Sequence, residues 1–219
     1  MIQNYNIRPY NNSTFSTLYY GTHKIKGHNV IIKLNYDKLS KILLENEIRI
    51  YIFLQKKKFP YIPTIKYIDN IGEQIYIIMD YKENNLCKQK ITINIIEQCL
   101  YILKSLHSLY IVHRDIKPEN FLIDNNKLYI IDFGLSGLYH NKPFNNMIGN
   151  KNYCSMKCHT KNYIYDYKDD IQSMIYMFLH LHNNILVWEN DIYRKQNPFL
   201  YYSDDEINNY LKKIWLIHI

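Results

Sequence analysis

Residues 112–134, VHRDIKPENFLIDNNKLYIIDFG, constrain this chain more than any other stretch. Two short apolar runs, Phe121–Ile123 and Leu128–Ile131, flank Asp124-Asn125-Asn126-Lys127, a pattern that predicts a β-hairpin. Asp124, Asn125 and Asn126 are assigned to the turn itself, since short polar side chains tolerate turn backbones. A hairpin centred there is expected to bring its open ends together, and those ends carry Asn120 and Asp132. An amide oxygen beside a carboxylate is a pair of hard ligands, suited to Mg2+ held with phosphates and water. Asp115 lies five residues before Asn120, on the loop entering the hairpin, with Lys117 between them. The set predicts a base, a cation and metal ligands within a few ångströms of one another, as in-line phosphoryl transfer requires. A hairpin whose polar residues merely shape turns accounts for 124–126. It does not account for Asp115, Lys117, Asn120 and Asp132 at this spacing.

The remainder of the chain reads as an α+β protein. Residues 14–20 and 28–34 predict strands with Gly21–Gly27 as the turn, and a helix follows at about 38–55. Pro60 and Pro63 break the chain before two further strand-like runs, Thr64–Ile68 and Gln74–Asp80. From Thr92 the period changes: Ile96, Cys99, Leu100, Leu103, Leu106, His107 and Tyr110 recur at helical spacing. A second such stretch runs from Asp169 to His182. Ser203 and Glu206 have capping-box spacing ahead of a helix with Ile207, Tyr210, Leu211, Ile214 and Trp215 on one face. A β-rich half therefore precedes an α-rich half, the two joining near residues 80–86.

Bulk properties narrow the class. At 219 residues and 47% apolar content the chain can bury a core as one medium domain or two packed lobes. No apolar run is long enough for a membrane span, and MIQNYNIRPYNN lacks a signal-peptide pattern, so an intracellular, cytoplasmic protein is expected. Four cysteines, at 87, 99, 154 and 158, do not make a disulfide framework in that setting. The net charge of +7 favours acidic partners in general, but nucleic-acid binding is not expected, and Lys56-Lys57-Lys58 reads as a solvated helix end. Alanine is absent while Ile, Asn, Lys and Tyr abound, a bias that AT-rich coding produces in some viruses and parasites.

His113-Arg114-Asp115, Lys117, Asn120 and Asp132-Phe133-Gly134 resemble the catalytic-loop and metal-loop motifs of protein kinases. The resemblance implies that Asp115 accepts the proton of a substrate hydroxyl and Lys117 neutralises the γ-phosphate of ATP. Asn120 and Asp132 would hold Mg2+. Lys117, where tyrosine kinases have a different pattern, implies protein substrates with Ser or Thr acceptors. Val30-Ile31-Ile32-Lys33 resembles the strand whose lysine grips the α- and β-phosphates, which assigns that role to Lys33. Glu47 sits at helical offsets from Leu43, Tyr51 and Leu54, and a carboxylate buried among apolar neighbours needs a partner. Lys33 is the natural one; the alternatives are a solvent-facing Glu47 or a pairing with Glu45 instead.

Residues 11–19 resemble the phosphate-covering loop, but Asn11, Ser13 and Ser16 fill its three glycine positions, with Phe15 and Leu18 completing the frame. Such a loop approaches phosphates less easily than one with glycines. By the same resemblance, Met79 would sit beside adenine, Asp80, Tyr81 and Lys82 would form the hinge, and Leu122 and Ile131 the floor. Ile31 replaces a small residue above the adenine ring. His113 is expected to be structural, packing beside Phe133.

Gly149-Asn150-Lys151-Asn152-Tyr153-Cys154-Ser155-Met156-Lys157 resembles a segment of the casein kinase 1 family, which lacks the usual Ala-Pro-Glu. Asp170 is then expected to brace the catalytic loop, and Leu186-Val187-Trp188 to end the following helix. Asn152 and Asn150 replace that family's arginine and threonine, so a preference for primed substrates does not carry over. With no second ligand pair at suitable spacing, zinc is not expected at Cys154, Cys158 and His159; they are assigned to the substrate-binding segment. Between Gly134 and Gly149 only Ser136 and Tyr139 could be phosphorylated, so activity without phosphorylation there is expected.

The resemblance covers residues 10 to 188 and implies one kinase domain over 1–219. It divides into a β lobe at 1–80, a hinge at 81–86 and a shortened helical lobe at 87–219, with ATP in the cleft of a monomer. The alternatives are a kinase-fold scaffold with weak catalysis, motivated by the missing glycines, and a small-molecule kinase such as an aminoglycoside phosphotransferase. The segments 112–134 and 149–157 oppose the last.

Overall fold

The computed structural model describes residues 2–13, 16–139 and 142–219. The chain divides into two compact units, one of residues 1–83 with 129–134, the other of residues 84–128 with 135–219.

The first unit is built on a five-stranded antiparallel sheet. Its elements are β1 (Tyr5–Ser13), β2 (Ser16–His23), β3 (Asn29–Leu34), helix α1 (Lys38–Lys56), β4 (Ile65–Ile71) and β5 (Gln74–Asp80), with sheet order β1-β2-β3-β5-β4. Strand β1 was not anticipated. Its sequence, YNIRPYNNS, contains Pro9, lies on a sheet edge and shifts register between Pro9 and Asn11. Edge strands tolerate proline and polar residues because one rail of backbone groups faces water.

The turn expected at 21–27 begins later, because β2 runs on to His23 and pairs Gly21 with Val30. A Cβ at Gly21 would stand 3.1 Å from Val30 Cγ2, so this glycine makes room for a neighbour rather than a turn. Val30, Ile32, Tyr76 and Ile78 form one packed face of the sheet. Helix α1 packs on β5 and buries Leu44, Glu47, Ile48, Tyr51 and Leu54. Asp37 starts it: its carboxylate accepts the Ser40 N–H at 2.7 Å while Ser40 Oγ accepts the Asp37 N–H at 2.9 Å, a reciprocal cap.

The second unit contains β6 (Asn84–Asn85), α2 (Ile93–His107), β7 (Ile111–Val112), β8 (Phe121–Asp124), β9 (Lys127–Ile130), β10 (Gly137–Leu138), α3 (Tyr167–Asn183) and α4 (Glu206–His218). The unit division falls within β9. The hairpin between β8 and β9 turns at Asn125 (φ 50°) and Asn126 (φ 60°), two successive left-handed residues of the kind a tight hairpin demands. Helix α3 is buried almost throughout from Asp169 to Leu179, with α2 and α4 packed on it.

Two expectations fail in detail. Tyr110 lies beyond α2 with φ 61° and is 68% exposed, because the helix closes at His107. Helix α4 is capped by Asp205, which accepts the Asn208 N–H at 2.8 Å, and not by Ser203, whose hydroxyl donates to Asp205 at 3.0 Å. A charged acceptor one residue before the helix satisfies its end better than a serine two residues further out. Among the described residues no helix is long and apolar enough to cross a membrane.

Replacing the α1 cap, Asp37→Ala, is expected to lower stability by removing the acceptor of the Ser40 N–H. Urea titration followed by circular dichroism measures it; an unchanged midpoint would show that α1 does not depend on its cap.

Candidate active site

In the first unit three charged side chains meet. Lys33 leaves the central strand β3, and its Nζ stands 2.6 Å from Glu47 Oε2 and 2.9 Å from Asp132 Oδ1. Glu47 is 1% exposed, one helical turn from Leu44 and Tyr51, whereas the rival Glu45 is exposed. Burial by itself would lower the Lys33 pKa, but the charges of Asp132 and Glu47 and their hydrogen bonds outweigh it, so the ammonium is held above its ordinary value. For Glu47, burial dominates. With the charge of Asp132 it pushes the carboxyl up to about 7, against the pull of Lys33. One cation thus serves two acids.

Asp132 has φ 67°, a left-handed backbone rare for a non-glycine residue. The chain beyond it is pinned to α1. Asn46 Nδ2 donates to the carbonyls of Phe133 (3.2 Å) and Gly134 (2.9 Å), and the Phe133 ring meets Tyr51 edge to face at 5.0 Å. Neither Asn46 nor Tyr51 stood out by residue type; their places beside and one turn after Glu47 were the available signal.

The residues assigned to nucleotide contact in this unit are arranged by the sheet. Leu18 pairs across from Lys33 on β3 and from Asn11 on β1. Ser13 pairs with Ser16, which is buried, and Phe15 lies outside the described residues. Met79 is buried opposite Ile31. The Tyr81 N–H donates to the Asn29 carbonyl at 3.2 Å, and its ring meets Tyr20 and Tyr10 edge to face at 5.0 and 6.0 Å. Burial and a hydrogen bond with Tyr10 push the Tyr81 hydroxyl up to about 12. Ile131 is half-buried immediately before Asp132.

In the second unit a loop presents Asp115. Lys117 Nζ lies 2.6 Å from Asp115 Oδ2, and Asn120 Nδ2 donates to the Asp115 carbonyl (2.8 Å) and Oδ2 (3.1 Å). With its amide hydrogens directed at Asp115, Asn120 has its oxygen left to offer a cation. Asp132 likewise keeps 26% of its side chain exposed, so both groups retain the hard-oxygen chemistry that Mg2+ requires. Leu122 is half-buried on β8, paired with Asn85.

Asp170, with no exposed surface, holds this loop. It accepts the N–H groups of His113 (2.8 Å) and Arg114 (3.0 Å), faces His107 Nε2 at 3.0 Å and accepts the Tyr165 hydroxyl at 2.8 Å. Burial pushes its carboxyl up, but the hydrogen bond and charge of His107, the charge of His113 and the His113 N–H together hold it below its ordinary value. His107 and Tyr165 were not assigned roles from sequence; each is distant in the chain and acts only by folding onto Asp170.

Other groups shape the same loop. Arg114 has φ 68°, and its guanidinium lies over the rings of Phe144 (4.9 Å) and Tyr165 (5.9 Å). Ser136 Oγ donates to the His113 carbonyl at 3.0 Å. Gly149, at φ 87°, packs its bare Cα against the Arg114 carbonyl, where any Cβ would collide. His113 is fully buried, and its Nδ1 accepts the Asp115 N–H at 3.3 Å.

Residues 12–210 match the family model described as Protein kinase domain.

Because Glu47 is held at about 7 when folded and ionises near 4.5 as a free side chain, the folded protein binds this proton more tightly. Its contribution to stability is complete below about 4.5 and is lost as pH rises to about 7. Relative to Glu47→Gln, which cannot ionise, the wild type should therefore lose stability across that window and level off above it. Urea titrations of both proteins test this; a wild-type advantage that grows with pH would contradict it.

Proposed function

The chain belongs to the protein kinase family, and from that premise we propose that it moves the γ-phosphoryl group of ATP, with Mg2+, to Ser or Thr hydroxyls of protein substrates. The observation that carries the reading is the Asp115 carboxylate, set between Lys117 and Asn120 on a loop fixed from below by a buried acid.

Asp115 takes the proton of the acceptor hydroxyl as its oxygen bonds to the γ-phosphorus and the bond to the β-phosphate breaks, releasing ADP. Lys117 neutralises the oxygens in transit. Lys33, kept charged by two carboxylates, grips the α- and β-phosphates. Asn120 and Asp132 would hold Mg2+, which supplies positive charge to the phosphate oxygens. Met79, Tyr81, Leu122 and Ile131 would contact the base, with Leu18 and the backbone of Asn11, Ser13 and Ser16 above the phosphates.

Lys117 supports Ser or Thr over Tyr, and the Gly149–Lys157 segment supports a likeness to casein kinase 1. The surroundings of Arg114 support activity without phosphorylation of the segment after Gly134. Aromatic faces receive its guanidinium, the charge being attracted to the ring π-electrons. The hydroxyl of Ser136 is itself buried and engaged.

Purified protein incubated with labelled ATP, Mg2+ and casein is expected to label Ser and Thr, and Asp115→Asn to lose roughly 100-fold or more in rate. Equal labelling by both proteins would indicate a contaminant. No transfer by well-folded wild type would favour the scaffold reading. Phosphatase treatment beforehand is expected to leave the rate unchanged, and a large loss would overturn the account of Arg114.

A further inference from the structure

Away from the residues assigned to phosphoryl transfer, one cluster combines a buried cation with two thiols. Lys195, on the turn Ile192–Gln196, has no exposed surface. Its ammonium donates to the carbonyls of Cys154 (2.7 Å) and Lys151 (3.0 Å), lies 3.5 Å from His159 Nε2 and faces the rings of Tyr176 (5.2 Å) and Trp188 (6.0 Å). Burial lowers the Lys195 pKa to about 8, so the ammonium persists at neutral pH and its charge acts on its neighbours. One neighbour that feels this charge is the Cys154 thiol, whose Sγ lies 3.2 Å from His159 Nε2.

Cys158 follows on the short helical turn Met156–His159, its Sγ 3.2 Å from Ser155 Oγ, and the two cysteines, both buried, share one core cluster with Val112, Tyr163 and Tyr165. The two thiols are near enough to share a hydrogen bond, and a disulfide between them requires their Cβ atoms to come to about 4 Å.

We propose that Cys154 and Cys158 are a nucleophilic and a resolving thiol that close to a reversible disulfide when a hydroperoxide reaches them, slowing phosphoryl transfer. The Cys154 proton passes to His159 Nε2, and the thiolate attacks the peroxide oxygen. The O–O bond breaks, and the departing oxygen recovers the proton from His159 as water or an alcohol. Cys154 is left as a sulfenic acid. Cys158 then attacks that sulfur through its own, the S–O bond breaks, and water leaves with the Cys158 proton, relayed by Ser155 Oγ. Two thiols have given two electrons to one peroxide, and an external thiol reverses the change.

The surroundings favour this division of labour. A hydrogen bond from Cys158 leads the causes that hold the Cys154 thiol below its ordinary value; burial opposes it, and the charge of Lys195 assists. The same hydrogen bond, with burial, holds Cys158 above its own. Burial and the charges of Lys195 and Lys151 keep His159 low, leaving Nε2 free to accept a proton. Of the other two cysteines, burial and then Glu119 push exposed Cys87 up to about 11, and burial pushes Cys99 well up.

The effect on activity rests on the kinase reading; the thiol chemistry does not. To form the disulfide, Cys154 must leave His159 and Cys158 must leave Ser155, whose hydroxyl donates to Asp169 at 2.6 Å. The same segment begins at Gly149, which packs against the Arg114 carbonyl next to Asp115. Strain in 154–158 is thereby delivered to the backbone that carries the base.

The full-length protein is treated with hydrogen peroxide, alkylated and mapped as non-reduced peptides. The expected product is a Cys154–Cys158 cross-link, reversed by dithiothreitol, with Cys87 and Cys99 still thiols. Cys158→Ser should trap a dimedone-reactive sulfenic acid at Cys154. His159→Gln should slow oxidation roughly tenfold without changing the thermal midpoint, since the proton acceptor is lost. Oxidation at Cys87 with the pair left reduced, or an unchanged rate in His159→Gln, would overturn the thiol assignment. Oxidation of the wild type should abolish most transfer, and dithiothreitol should restore it; full activity in the cross-linked protein would overturn the regulatory part. Absence of transfer in the reduced protein would instead count against the kinase reading, with the peptide map still deciding the thiols.

Discussion

The carboxylate of Asp170 is the point on which the second unit's chemistry depends. A buried charge is tolerated only when its lone pairs are occupied, and four donors converge on this one: two backbone N–H groups, a histidine and a tyrosine hydroxyl. The backbone groups belong to His113 and Arg114, the two residues before Asp115. Arg114 takes a left-handed conformation that few side chains favour. The acid thus holds in place a turn that would otherwise relax, and Asp115 is delivered by that turn.

A complementary arrangement governs the first unit, where one ammonium stands between two carboxylates. Such a cluster is not a device for stability: withdrawing Glu47 from water costs much of what Lys33 returns. It fixes position. Glu47 ties β3 to α1, Asn46 ties α1 to the carbonyls after Asp132, and the Phe133 ring meets Tyr51 edge to face. A displacement of α1 therefore moves Glu47 and Asn46 together, and with them Lys33 and the chain after Asp132.

Aromatic rings pack against charged groups and one another at several points in both units. Phe144 and Tyr165 receive the Arg114 guanidinium, and Tyr10 and Tyr20 brace Tyr81 next to a strand pair that lacks loop glycines. The chain has 23 tyrosines, and these are places where the ring does structural service. Tyr176 and Trp188 do the same for Lys195.

The sequence by itself determined the elements whose signals are local. The β8–β9 hairpin with its Asn-Asn turn, the helical character of α1, α2 and α3, and the pairing of Lys33 with Glu47 were legible because period, turn chemistry and the cost of a buried charge are written residue by residue. Asp115, Lys117 and Asn120 were legible as a group for the same reason, being neighbours in the chain. Tertiary structure decided the rest. Strand β1 exists because β2 offers it an edge, Gly21 is a packing glycine because Val30 lies across from it, and His107 and Tyr165 matter because they fold onto Asp170. The environment of Cys154 likewise depends on a lysine 41 residues away. Contacts between residues remote in sequence leave no periodic trace along the chain, and only the fold brings them within reach.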